Sequence, residues 1–254
     1  IKGGPLQLDE EKFSPKLGVI WNPFPGTTLR AAGFMNTRRS LVGNQTLEPT
    51  QVAGFNQQFD DAPGTSSWRY GVGLAQKLTP CLFGGLEISK MELDVPFIET
   101  IETESNVTRV DWEERLARVY LNWVLHRWFT ATVEYQYERL ERDDRAVGVE
   151  SFTKATTHRV PVSLNFFHPV GIMARLKATY VHQEGDFSNP FGQGVTAFTV
   201  PGRDNFWVLD AAIGYRLPNR WGIITVEARN LLDERFRFQD TDPSNPSIFP
   251  ERAV

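Results

Sequence analysis

Apolar and polar residues alternate one by one along many segments of this chain, and no other feature constrains its fold as strongly. In the clearest segment the apolar members are Phe129, Ala131, Val133, Tyr135 and Tyr137, and the polar members are Thr130, Thr132, Glu134, Gln136 and Glu138. Successive side chains of a β-strand point to opposite faces, so this pattern predicts strands with one apolar and one polar face. It recurs in residues 117–125, 158–166, 172–180 and 207–215. We therefore predict an all-β, antiparallel protein.

The lengths of the segments and of the links between them separate two all-β folds. The segments run for about 10–17 residues, whereas strands of soluble proteins are most often about 5–6 residues long. Short links at 78–81, 125–128, 167–171 and 217–221 alternate with long polar links at 94–106, 141–153, 185–203 and 236–248. Outer-membrane barrels have short periplasmic turns and long extracellular loops. The pattern favours a transmembrane antiparallel up-and-down β-barrel over the alternative, a soluble β-sandwich.

Composition excludes several classes of protein. The chain contains no run of the roughly 18–20 apolar residues that a transmembrane helix needs, which excludes helical membrane proteins. A mean hydropathy of -0.34 is compatible with a barrel, because a barrel strand shows lipid only every second side chain. The net charge of -4 gives no indication of a nucleic-acid partner. Cys81 is the single cysteine, so the chain has no intrachain disulfide.

We count about twelve strands by this alternation. They are residues 12–22, 26–36, 49–60, 66–79, 81–93, 106–125, 127–142, 154–168, 170–184, 203–217, 220–235 and a last strand that begins near Ile248. The link at 37–48 is long, although the alternation of links, counted back from the C-terminus, requires a short turn there. A bent strand, an inward-folded loop and a miscounted strand would each explain it.

Regions near both ends of the chain carry a family resemblance. Residues 13–23, which include Ser-Pro-Lys-Leu-Gly, and residues 28–32 together resemble a hairpin in the barrel of TonB-dependent receptors. Residues 46–50 are similar to the segment that follows that hairpin. Residues 226–236, which include Asn-Leu-Leu-Asp-Glu, resemble the penultimate strand of the same barrels. Residues 48–61 also resemble barrel regions that are fused to tetratricopeptide repeats.

The resemblance implies a transport barrel in the outer membrane of a Gram-negative bacterium, with the lipid bilayer as its surroundings. Receptors of this family also have an N-terminal plug, a TonB-contacting peptide and a 22-stranded barrel. We expect residues 1–254 to form one partial outer-membrane β-barrel domain without a plug or signal peptide. A plug or periplasmic domain upstream of Ile1 and a closing strand beyond Val254 are expected to complete it.

Charged residues recur on the polar side of the alternating segments, and we expect them to face the lumen. They are Arg118, Glu134, Glu138, Arg159, Arg175, Lys177, Asp210, Arg216, Glu227 and Arg229. One interpretation is a ladder of ion pairs that stabilises the wall of the barrel. The other is a polar conduit, or a seat for a plug, that selects what passes. One ladder can serve both purposes.

The sequence predicts neither catalysis nor a cofactor. The four histidines, His126, His158, His168 and His182, do not have the spacing of metal ligands. His158 and Ser163 fall on opposite faces of their strand by parity, which argues against a hydrolase pair. No phosphate-binding loop, dinucleotide fingerprint or zinc motif is present.

Three functions fit these observations. The first is a transport barrel, similar to a TonB-dependent receptor, that moves a solute across the outer membrane. The second is the outer-membrane pore of a system that exports or assembles a polysaccharide or other surface polymer, with periplasmic repeats. The third is a structural or adhesive barrel. A plug or a repeat domain upstream of Ile1 would separate the first two.

Overall fold

The computed structural model describes residues 13–38, 50–57, 64–101, 104–143, 152–188, 199–238 and Ile248. The strands are β1 (Lys16–Trp21), β2 (Thr27–Thr37), β3 (Thr50–Val52), β4 (Phe55–Gln57), β5 (Ser66–Thr79), β6 (Leu82–Ile101), β7 (Glu104–His126), β8 (Phe129–Arg142), β9 (Phe152–Phe167), β10 (Ile172–Ser188), β11 (Thr199–Arg216) and β12 (Ile223–Ala228). A short 3-10 turn, Pro218–Arg220, joins the last two strands. The prediction of an all-β protein is confirmed. Among the described residues, none lies in a helix with the length and apolar character that a membrane crossing requires.

Ten of these strands form one antiparallel sheet in the order β1-β2-β5-β6-β7-β8-β9-β10-β11-β12. Each strand of the sheet pairs with the next one along the chain, so the predicted up-and-down arrangement is present. The links at 22–26, 80–81, 127–128, 168–171 and 217–222 lie at one end of the strands. The long links lie at the other end, together with the short link at 102–103 between β6 and β7. Within the described residues, β1 and β12 are the two edges of the sheet, and no pairing joins them.

The predicted strand at 49–60 is wrong. That segment contains a separate two-stranded hairpin, β3–β4, whose central residues Ala53 and Gly54 both have positive φ, 49° and 87°. Two successive residues with positive φ form the tight turn that suits a two-residue hairpin loop. With this strand removed from the sheet, the whole segment between β2 and β5 belongs to the end with the long links. The conflict at 37–48 disappears, although residues 39–49 lie outside the described residues.

Several other predicted boundaries differ from the structure, most clearly at 94–106 and at 220–235. The link at 94–106 is not a polar loop, because β6 continues to Ile101 and pairs there with Glu104 of β7. The strand expected at 220–235 ends at Ala228, and Asn230 and Asp233 then take positive φ in a turn. The last predicted strand lies outside the described residues apart from Ile248.

The two faces of the ten-stranded sheet differ sharply in chemistry, and we name each after a residue of β8. On the Val133 face, Val133 pairs with Leu121 of β7 and Val162 of β9, and all three side chains are exposed. On the Glu134 face the neighbouring polar side chains are less accessible: Glu134 is 8% exposed and Val133 is 45% exposed. The large exposed apolar residues of the Val133 face include Leu74, Leu86, Val119, Leu121, Val133, Val162, Leu164, Leu176, Ile213, Ile224 and Val226.

Nearer the long links the chemistry of the two faces is exchanged. On the Val133 face Lys90 pairs with Arg115, and Arg115 pairs with Arg139. The Glu134 face carries apolar clusters at this level, formed by Met91, Leu93, Val95 and Val110, by Leu140, Phe152 and Ala155, and by Val181, Phe206, Val208 and Ile248. The apolar belt of the Val133 face is therefore limited in height. On β8 it extends from Phe129 to Tyr137, about nine residues, close to the length of a membrane-spanning strand.

Candidate functional site: the Glu134 face

The structure places the ten predicted charged residues on the Glu134 face. Strand register links them: Gln136 pairs with Arg159, Lys177 pairs with Asp210, and Ala212 pairs with Glu227. Because side chains alternate along each strand, the remaining members share the parity of these positions. Arg229 follows β12 by the same alternation. That this face lines a lumen stays a prediction.

The centre of the face is held by charged side chains that meet across adjacent strands. Arg118 of β7 donates two hydrogen bonds to Glu134 of β8, at 2.5 and 2.9 Å. Gln136 donates a third to the same carboxylate. One strand further on, Arg159 of β9 contacts Glu138 at 2.7 Å, and their side chains are 19% and 11% exposed. Bidentate or partly buried ion pairs of this kind hold their side chains in place more firmly than exposed surface ion pairs do.

Two further ion pairs reach across an intervening strand, where a small residue leaves room. Arg30 of β2 and Glu87 of β6 are 2.8 Å apart, and Gly73 of β5 lies between them in register. Arg175 of β10 and Glu227 of β12 are 3.4 Å apart, and Ala212 of β11 lies between them. Neither Arg30 nor Glu87 is among the residues that the sequence predicts for this face. The feature that identifies this ion pair is a glycine in register with two opposite charges. It can be recognised only when the pairing of the strands is known.

The remaining predicted residues lie toward the end of the sheet that carries the short links. Lys177 is directly opposite Asp210, whose carboxylate accepts a hydrogen bond from the backbone N–H of Asn230 at 3.0 Å. Arg229 lies 3.4 Å from Glu227 and shares this carboxylate with the arginine of β10. Arg216 ends β11 opposite Ile223.

The hairpin β3–β4 lies against the Glu134 face of β1, β2 and β5. Phe55 is 1% exposed, and the guanidinium of Arg30 lies 5.4 Å from the centre of its ring. At the base of the hairpin, Gln57 accepts a hydrogen bond from Asn36 at 2.9 Å and donates one to Ser67 at 2.5 Å. All three of these amide and hydroxyl side chains are buried, so the hairpin is anchored to the wall through polar and apolar contacts together.

The two residues considered as a hydrolase pair, His158 and Ser163, lie on opposite faces of β9. His158 lies on the Val133 face, where its Nδ1 is 2.8 Å from the hydroxyl of Tyr135. Ser163 pairs with Thr132 on the opposite face, so the prediction that His158 and Ser163 point apart is confirmed. Among the described residues, no three His, Cys, Asp or Glu side chains are grouped as ligands of a metal ion.

No protein-family model, no curated protein and no solved structure matches this chain. Fold and site therefore define it only as a large up-and-down antiparallel sheet. That sheet has an exposed apolar belt on one face and a charged, partly buried ladder on the other.

Proposed function

We propose that this chain is a transport barrel of the bacterial outer membrane, which curves its ten-stranded sheet around the Glu134 face and passes a hydrophilic solute along that face. One observation carries the proposal, the inverted burial of the two faces. Val133 and its neighbours are exposed, whereas Glu134 and Glu138, on the other face, are 8% and 9% exposed. A soluble sheet in water would bury the first set and expose the second.

Contact of the Val133 face with lipid would explain this inverted burial. An exposed row such as Leu121, Val133 and Val162 costs free energy in water, since each large apolar side chain is worth about 1.5–3 kcal/mol when buried. In hydrocarbon the same row is favourable. The charged ladder is then kept from lipid on the opposite face, where water and ion pairing satisfy it.

The height and borders of the belt fit a bilayer. About nine residues at about 3.3 Å each, tilted by about 40°, span a little over 20 Å, near the roughly 25 Å band of known barrels. Aromatic side chains lie at both borders, as expected of amphipathic rings at the headgroup level. Toward the long links these are Tyr70, Tyr137, Tyr180 and Trp207, and toward the short links they are Trp123, Phe129, Phe166 and Tyr215.

The chemistry of the Glu134 face favours a hydrophilic solute. At belt level it offers arginine, glutamate, asparagine and threonine side chains, such as the Asn122–Thr132 pair hydrogen-bonded at 2.9 Å. Such groups bind water and polar solutes and reject apolar ones.

The test of the proposed function is swelling of proteoliposomes that contain the purified chain, with neutral sugars of increasing size. Size-limited sugar entry is expected, and vesicles as tight as protein-free ones would overturn the proposal.

Energised uptake, as in TonB-dependent receptors, is the form of transport that we propose on the resemblance of residues 13–23 and 226–236. Its test is chemical cross-linking of the full-length protein to the periplasmic domain of TonB in cells. A cross-link supports uptake. Recovery of periplasmic repeat proteins with the barrel in place of TonB would favour the export pore.

A further inference from the structure

The hairpin β3–β4 enters the sheet from the end with the long links and returns to that end. Its base is hydrogen-bonded to Asn36 and Ser67, which lie at the long-link ends of β2 and β5. Its turn, Ala53–Gly54, lies beside Arg30, much further along β2. Arg30 is in register with Gly73, and the next residue of β5, Leu74, belongs to the apolar belt. The turn thus reaches the depth of the belt.

Glycines in the wall make room for the hairpin. A Cβ atom on Gly18 would lie 2.7 Å from Cγ1 of Val52, which is closer than real Cβ atoms approach other heavy atoms. A Cβ atom on Gly71 would collide with the ring of Phe55. Gly33, which is on the Val133 face, meets only ordinary contacts with Tyr70 at 3.5 Å. The glycines at positions 18 and 71 therefore give the wall a surface that is complementary in shape to the docked hairpin.

The hairpin turns its polar side away from the wall. Val52, Phe55 and Gln57 contact the sheet, and alternation sends Gln51 and Asn56 to the opposite side. Both of these residues are exposed, and Gln51 donates a hydrogen bond to the Asn56 side chain at 2.9 Å. The result is a pair of uncharged amides that faces away from the wall, on the Glu134 side of the sheet.

We propose that the hairpin Thr50–Gln57 is a resident constriction of the transport barrel, and that its Gln51–Asn56 amide pair contacts the passing solute. This inference rests on the proposed function and adds the element that limits size and meets the solute. Side-chain amides both donate and accept hydrogen bonds, so they suit neutral solutes rich in hydroxyl or amide groups. The charged ladder alone would favour ions.

The experiment measures single-channel conductance and reversal potential of the full chain in planar lipid bilayers. Gly71→Val removes the space under Phe55 and undocks the hairpin, so we expect conductance to rise about twofold or more, because a wider pore passes more ions. Gly33→Val, on the other face of the neighbouring strand, is the matched control and should conduct like the native chain. Equal conductance of the Gly71 and Gly33 variants would overturn the inference.

A charge placed on the amide pair gives a test that leaves the fold alone. Gln51→Lys should shift the reversal potential toward anion selectivity, because a charge at the narrowest point dominates ion selection. Asn205→Lys puts the same charge on an exposed position of the Val133 face and should leave the potential at its native value. An unchanged potential in the Gln51 variant would place the hairpin outside the permeation path.

A covalent tether between hairpin and wall provides a second test that does not depend on the folding of the Gly71→Val variant. Gly18→Cys with Val52→Cys, in a Cys81→Ser background, should form a disulfide, and the tethered chain should conduct like the native one. A tethered chain with lower conductance than native would show that the hairpin is normally undocked, against the proposal. If the native chain forms no channel, the proposed function itself is overturned, whereas channels that ignore all the hairpin variants overturn this inference alone.

Discussion

Adjacent residues of β8 show how the chain divides its chemistry between two surroundings. Val133 pairs with apolar partners on both sides and is 45% exposed, whereas Glu134 is 8% exposed and is held by Arg118 and Gln136. A shift of the strand register by one residue would place the carboxylate in lipid and the valine among charges. The alternation of this strand therefore excludes registers that are shifted by an odd number of residues.

The first prediction concerns single charges on the two faces. Val133→Arg should destabilise the folded protein by about 2–4 kcal/mol, because it places a charge on the lipid side near the centre of the belt. Thr132→Arg, one residue away on the Glu134 face, should have a small effect. Denaturant unfolding from lipid vesicles measures both, and equal losses at the two positions would contradict a lipid-facing belt.

The second prediction concerns the shielded pair Arg159–Glu138. Loss of one partner leaves the other charge without its counterpart at a site that is only 11–19% exposed. Glu138→Gln and Arg159→Met should each cost about 1–3 kcal/mol, and the double variant should cost less than their sum. Additive losses in the double-mutant cycle would show that the two side chains act independently.

At the scale of elements, β6 and β7 exceed the belt and change character along their length. Where they leave the belt, Lys90 and Arg115 occupy the Val133 face and Met91 and Val110 occupy the other. Lys90 contacts Glu113 at 2.9 Å, and Arg115 bonds to the same carboxylate. The exposed face of this extension thus suits water, and its apolar side is covered by Trp112 and other neighbours.

The third prediction is a pH dependence of this extension. The hydrogen bond from Lys90 holds the pKa of Glu113 below its usual range, and a bond from Arg115 acts in the same direction, against partial desolvation. A lowered folded-state pKa adds stability above the unfolded value, about 4.3, and the stability is lost as pH falls through the folded value. The free energy of unfolding of the native chain should exceed that of Glu113→Gln at pH 7.

This difference should shrink toward zero as the pH falls through the lowered folded-state pKa of Glu113, because both chains then carry an uncharged side chain at position 113. Lys90→Met removes the main partner and leaves Arg115, so in that background the Gln substitution should have a smaller effect at pH 7 than in the native chain. A native advantage that persists at low pH would contradict a charge-dependent contribution.

At the scale of the whole molecule, the turns at 22–26, 80–81, 127–128, 168–171 and 217–222 lie at one end of the sheet. The long links lie at the other end, together with the short link at 102–103. In barrels of the outer membrane, long loops face the outside and short turns the periplasm. The position of Cys81, exposed in the turn between β5 and β6, gives this orientation a natural probe.

The fourth prediction is that Cys81 is protected from a membrane-impermeant thiol reagent in intact cells and reacts after permeabilisation. Asn219→Cys, in the turn after β11, should behave in the same way in a Cys81→Ser background. Arg203→Cys, in the same background and near the long link at the other end of β11, should react in intact cells. The reverse pattern of labelling would invert the orientation.

The sequence by itself determined which residues share a face. Alternation needs only the period of a strand, so the segments of β7 to β11, the antiparallel order and the common face of the ten charged residues followed from local pattern. The separation of His158 from Ser163 followed in the same way. These properties depend on neighbours along the chain, and the sequence contains that information completely.

Only the tertiary structure decided what those faces contact. Residues 49–60 read as a strand because Thr50–Val52 and Phe55–Gln57 alternate, yet Gly18 and Gly71 on other strands provide the surface that takes them out of the sheet. The Arg30–Glu87 pair depends on Gly73 between them, far away in sequence. Such contacts join strands through register, and register is a property of the folded sheet, because each strand's pattern is equally satisfied by many partners.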